Sequence, residues 1–186
     1  MSFSWTPHRF SGGALALDVA NSVILRGDAA RSVDRFAEPA NLKSFAHAAA
    51  TFCAEKDLPL PLVPVEPENL RRFLSLREAI DGYFRAFVRK QADDRLLADL
   101  LECIADVLRQ TTSPMALEQA AAHSVLRLMA KCQSGADADR MKICANCGWL
   151  FLDQSRNRSR VWCDMTVCGN RAKASRHYYR NREVEM

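Results

Sequence analysis

Apolar side chains recur at helical spacing through most of the first 135 residues. Leu42, Phe45, Ala46, Ala49 and Phe52 share one face, which predicts a helix from Asn41 or the Glu38–Pro39 pair to about Lys56. Pro59, Pro61, Pro64 and Pro67 then forbid regular helix, so 57–67 reads as an extended connector. Glu66-Pro67-Glu68 opens a long helix, with proline in its first turn and acids near the positive end of its dipole. Its buried stripe is Leu70, Phe73, Leu74, Arg77, Ile80, Phe84, Phe87 and Val88. Ala92-Asp-Asp94 starts another helix, with Leu97, Leu100, Leu101, Ile104, Val107 and Leu108 inward. Ser113-Pro114 caps a further one carrying Leu117, Ala121, Val125, Leu128 and Met129.

The first forty residues follow no single period. After Gly12-Gly13, Leu15, Leu17 and Val19 alternate like a strand, whereas Leu17, Ala20 and Ile24 repeat like a helix. We read a short strand passing into a helix, with Ser32–Ala37 as a second strand pairing with the first. Gln133–Asp139 is polar and contains glycine, so it reads as a linker. The expected fold class is therefore mainly α with a small β-hairpin in an N-terminal domain, residues 1–135, followed by a separate module at 140–186.

Composition narrows the class. The chain has 48% hydrophobic and 26% charged residues, the balance of a globular domain rather than of a disordered chain. No run approaches the ~20 apolar residues of a membrane span, and Met1–Phe10 has no basic-then-apolar leader. We expect a cytoplasmic protein without membrane partners. Charge is uneven: residues 140–186 hold ten Lys/Arg against four Asp/Glu, a net +6, while the first 139 residues carry −2. A basic module on a mildly acidic body points to a polyanionic partner.

Cysteine is equally uneven. Cys53, Cys103 and Cys132 lie in apolar segments, where free cysteine behaves as a small hydrophobe. Cys144, Cys147, Cys163 and Cys168 form C-x2-C-x15-C-x4-C. Two close pairs at this separation match a tetrahedral zinc site, and four sulfurs leave no open position for catalytic water. One structural zinc is the expected cofactor. Cys144–Cys147 would make a knuckle with Gly148 at its turn, Trp149–Leu152 and Val161–Trp162 a hairpin, and Cys168 the start of a final helix. That order is a treble-clef zinc finger.

On these residues the module resembles the CGNR zinc finger: Cys144-Ala-Asn-Cys-Gly-Trp, Trp162-Cys163, and the tetrad Cys168-Gly-Asn-Arg171. Gly12-Gly-Ala-Leu-Ala-Leu-Asp-Val-Ala-Asn21-Ser resembles the start of the ABATE domain that commonly precedes it. The ABATE pattern more often has Phe at Val19 and Thr at Ser22. The resemblance implies a bacterial stress-induced transcription regulator.

DNA is the expected partner. Lys173, Arg176, His177 and Arg180 fall on one face of the final helix, and Arg156, Arg158 and Arg160 crowd the preceding turn. Together with Arg171 they would form a phosphate-neutralising surface. An ordinary solvated basic helix is the bland alternative, and Arg171 has a structural one, pairing with Asp153 or Asp164. Trp149, Phe151 and Trp162 read as the miniature core of the finger, with base stacking as the alternative. Asp18, Asn21 and Arg26 are candidates for lining a pocket for a small-molecule effector, with capping and surface roles weighed equally. Two other readings are a protein-interaction adaptor and an RNA or single-strand binder. Since one finger makes few contacts, a homodimer is a further expectation. No nucleophile, base and stabiliser can be assembled, so the chain reads as a non-enzyme with no catalytic residues.

Overall fold

The computed structural model describes residues 3–133, 138–175 and 178. Among the described residues five α-helices carry the body: α1 (Leu15–Ala20), α2 (Pro39–Phe52), α3 (Leu70–Val88), α4 (Asp94–Gln110) and α5 (Leu117–Gln133). Two antiparallel pairs accompany them, β1 (Val23–Ile24) with β2 (Val33–Asp34), and β3 (Met141–Ile143) with β4 (Leu150–Leu152). Among the described residues no helix is long and apolar enough to cross a membrane.

Helix α1 occupies the centre, and all six of its residues are buried. A short helix has several unpaired N–H groups at its start, and here other elements satisfy them. Leu15 N–H donates to Glu55 Oε2 at 2.8 Å and Ala16 N–H to Ser124 Oγ at 2.9 Å. Asp18 Oδ1 accepts from Gly12 N–H at 2.8 Å, closing the glycine turn. The order expected for this segment is thus reversed: helix comes first and strand second. A segment buried on every side shows no amphipathic period, which is why its alternation looked like a strand. The partner strand is Val33–Asp34, paired as Val23↔Asp34 and Ile24↔Val33, and Arg35–Ala37 is a single 3-10 turn.

Helix α2 ends at Phe52, four residues short of the predicted Lys56. That early stop leaves Glu55 free of the helix, so its carboxylate reaches Leu15, Ser124 Oγ at 2.5 Å and Arg127 Nε at 2.7 Å. The proline connector is pinned by Val63 N–H to Met115 C=O and Leu117 N–H to Val63 C=O. Helix α4 begins as its sequence predicts, with the Asp93 carboxylate accepting from Leu96 N–H. Phe45, Phe73, Leu76, Ile80, Phe84 and Leu100 fill the core between the helices. Trp5, Phe10 and Phe36 close round Phe45 at ring separations of 4.9–5.2 Å, bringing the N-terminal segment onto α2.

The C-terminal module packs against this core. Met141 pairs with Leu152, Lys142 with Phe151 and Ile143 with Leu150. Alternate residues of a strand point to opposite faces. Met141 and Leu150 therefore belong to the core of the body, with Ile143 and Leu152 against it, while Phe151 joins Trp149 and the cysteines in a second, smaller core. Hydrogen bonds reinforce the junction. Asn21 Nδ2 donates to Leu150 C=O at 2.8 Å, its Oδ1 accepts from Leu150 N–H at 3.0 Å, and Leu152 N–H donates to Gly12 C=O.

Candidate zinc centre and basic surface

The hairpin partner of β4 is Met141–Ile143, not the predicted Val161–Trp162. The knuckle consequently sits at the tip of the β3–β4 hairpin. Gly148 N–H donates to Cys144 C=O at 2.9 Å, and Cys144 N–H to Trp149 C=O at 2.8 Å. Gly148 turns the chain at φ +75°, a region that side-chain-bearing residues rarely adopt. Val161 serves the knuckle without being a strand: its carbonyl accepts from Ala145 N–H. From the body, Arg85 on α3 donates to Gly148 C=O at 2.9 Å while Asp81 holds its guanidinium at 2.6 and 3.0 Å.

The last two cysteines are placed by a different device. Asp164 ends the extended chain, and its carboxylate accepts from Thr166 and Val167 N–H. One π-helical turn follows, Met165–Gly169, and the helix continues through 170–175. Asn170 Nδ2 donates back to Thr166 C=O. His8 Nδ1 meets Asp164 Oδ2 at 3.0 Å, and the His8 ring lies over Trp149 at 5.5 Å, so the N-terminal turn braces the finger.

The four ligand atoms of Cys144, Cys147, Cys163 and Cys168 lie within 4.8 Å of one another. Zinc–sulfur bonds of about 2.3 Å in a tetrahedron require sulfurs about 3.8 Å apart. Cys147–Cys163 is 3.6 Å and Cys163–Cys168 is 3.7 Å. Three of the four are buried and Cys147 is half-buried. Their mutual contacts raise the Cys147 thiol through Cys144, and push Cys163 up to about 12 with Cys144 as the main cause. Such crowding disfavours ionisation of Cys147 and Cys163, and a divalent cation among the sulfurs would invert that preference. The donor set and its spacing fit one structural zinc.

A buried carboxylate organises the finger beside the cysteine cluster. Asp153 is fully buried and accepts from Lys142 Nζ at 2.7 Å, Ser155 N–H at 2.9 Å, Ser155 Oγ at 2.5 Å and Arg160 N–H at 2.8 Å. Burial alone would raise its pKa, yet Lys142 and the Ser155 and Arg160 donors outweigh it and hold the carboxyl well below the usual range. The sequence reading missed this role. An aspartate closing an apolar run looks like an ordinary turn residue, and its Lys142 partner is recognisable only once β3 pairs with β4.

The predicted basic residues divide. Arg156, Arg158, Arg171 and Lys173 are exposed. Arg160 is drawn into the finger instead: it donates to Cys163 C=O and its guanidinium lies 5.5 Å from the Phe151 ring. Arg171 does not take the predicted carboxylates, since Asp153 pairs with Lys142 and Asp164 with His8. Arg176, His177 and Arg180 lie outside the described residues. Trp149 and Phe151 are buried and Trp162 is half-buried, all packed about the cysteines as core.

The predicted pocket of Asp18, Asn21 and Arg26 is not formed. Asp18 closes on Gly12, Asn21 on Leu150, and Arg26 on Glu78 and the Ala20 carbonyl. Each side chain is committed within the chain, and the first two are almost wholly buried.

Comparison with known families agrees with this architecture. Residues 140–181 match the CGNR zinc finger, and residues 13–137 match the ABATE family, described as "Putative stress-induced transcription regulator". The chain belongs to the ABATE family. Its finger follows the ABATE domain in the order the motifs imply. No curated protein and no solved structure matches the chain.

Proposed function

We propose that this ABATE protein is a DNA-binding transcription regulator whose zinc-held finger offers a basic turn and helix to duplex DNA. The observation that carries the reading is charge. Arg156, Arg158, Arg171 and Lys173 are exposed, and among the described residues none has an acidic partner. Cations left uncompensated on a rigid support are suited to displacing counterions from phosphates. Rigidity comes from the cysteine cluster, the Asp153 hub and the α1 and α3 contacts. In sequence, Arg176, His177 and Arg180 follow and add further basic residues. The regulator description of the family accords with this reading and with a non-enzyme.

Docking of a protein partner has one observation in its favour: Val161 and Met165 are apolar, exposed and on the finger. Competition separates the readings. Zinc-loaded protein is bound to a labelled duplex and challenged with unlabelled duplex, single-stranded DNA or RNA. Displacement by duplex at the lowest concentration supports the proposal. Failure to bind any nucleic acid, or stronger displacement by single strands, defeats it.

A further inference from the structure

The N-terminal segment before Gly13 lies outside both family matches, yet it gathers cations at the junction of body and finger. Phe3 is the support. The Arg35 guanidinium lies 4.3 Å from its ring centroid and that of Arg9 lies 5.3 Å away. The two guanidiniums share one ring, although Arg9 belongs to the N-terminal turn and Arg35 to the turn after β2. The third member comes from the finger. His8, adjacent to Arg9, holds Asp164, the cap of the final helix, and that helix carries Arg171. Partial burial lowers the Arg9 pKa, and the charges of Arg35 and then Arg171 lower it further.

Among the described residues none of the three arginines forms an ion pair, and Arg35 Nε is buried without a hydrogen-bond partner. Nearby acids are engaged elsewhere: Asp34 by Arg77 at 2.7 Å and Asp164 by His8. Packed like charges cost energy unless an anion joins them. Arginine forks match the geometry of phosphate oxygens.

We propose that Arg9, Arg35 and Arg171 form a composite phosphate-binding site that joins the body to the finger. On the DNA reading, on which this assignment of the ligand rests, the occupant is a backbone phosphate, and the nucleic-acid surface reaches beyond the finger onto the ABATE body. A free phosphate would use the same donors.

Two measurements on the full zinc-loaded chain test the site. In the first, inorganic phosphate is titrated while the arginine side-chain Nε–Hε resonances are followed. Saturable shifts in Arg9, Arg35 and Arg171 are expected, and unmoved resonances would overturn the site whatever the chain does with DNA. In the second, duplex affinity is measured against salt for wild type, Arg9→Gln/Arg35→Gln and Arg9→Lys/Arg35→Lys. Each lost phosphate contact removes about 0.9 from the slope of log affinity against log salt. The Gln pair should flatten that slope by about 1 to 2, and the Lys pair should retain most of it. An unchanged slope in a Gln variant of normal zinc content and melting would refute a backbone-phosphate occupant. Phosphate shifts without duplex binding would keep the site, assign it to free phosphate, and sink the DNA reading.

Discussion

Replacing Asn21 by alanine should loosen the finger from the body by an amount that the contacts allow us to work out. The carboxamide closes two hydrogen bonds, to Leu150 C=O at 2.8 Å and from Leu150 N–H at 3.0 Å, at a position 4% exposed. It acts as a one-residue strand on the free edge of β4. Alanine leaves a backbone donor and a backbone acceptor unpaired beside the core, at about 1–3 kcal/mol each. Two such groups give roughly 2–6 kcal/mol of lost stability, or roughly 4–24 °C in melting temperature for a chain of this size. Asn21→Asp should be no better, because its ionised carboxylate can accept from Leu150 N–H but faces the carbonyl with a negative charge. Denaturant unfolding of zinc-loaded protein gives the energy, and amide exchange at Leu150 locates it. A loss below about 0.5 kcal/mol, with Leu150 still protected, would refute the reasoning.

Two further outcomes follow from buried groups. Burial raises the Asp18 carboxyl to about 7, although the Gly12 N–H works against it. The folded state therefore holds a proton that the unfolded state loses near pH 4, so this contribution is complete below that pH and is lost as pH rises toward 7. Stability should fall by about 2–3 kcal/mol between pH 5 and 8 on this account, and Asp18→Asn should flatten the profile; an equally steep profile in the variant would count against it. Strong chelation or Cys163→Ser should remove one equivalent of zinc and lower the melting of the whole chain, because Met141 and Leu150 lie in the core of the body. An unshifted main transition, with proteolysis confined to the finger, would show that the two parts do not share stability.

What was legible in the sequence had a local signature. Helices α3 and α4 each bury one stripe, and that stripe recurs every three or four residues. The cysteine ligands announce themselves through spacing, because metal chemistry constrains both residue type and separation. The misread features depend on partners far away in the chain. Asn21 and Leu150 are 129 positions apart, and nothing near Asn21 distinguishes a carboxamide aimed at a strand edge from one facing a ligand. The helical pattern runs past Phe52 and takes in Glu55. Its role in capping α1 and holding Arg127 exists only after three helices have packed. The basic turn was read as one surface, yet alternate residues part: Arg158 is exposed, whereas Arg160 folds back on Cys163 and Phe151.

On the proposed reading, zinc fixes a cationic surface that binds duplex DNA through its phosphates. The most direct test measures duplex affinity across a salt series for the zinc-loaded chain and for Arg156→Gln/Arg158→Gln/Lys173→Gln. About four to six phosphate contacts predict a slope of log affinity against log salt near −4 to −5, reduced by about 2 to 3 in the triple variant and abolished on metal removal. Binding that ignores salt, or that survives both the triple variant and loss of zinc, would contradict the account.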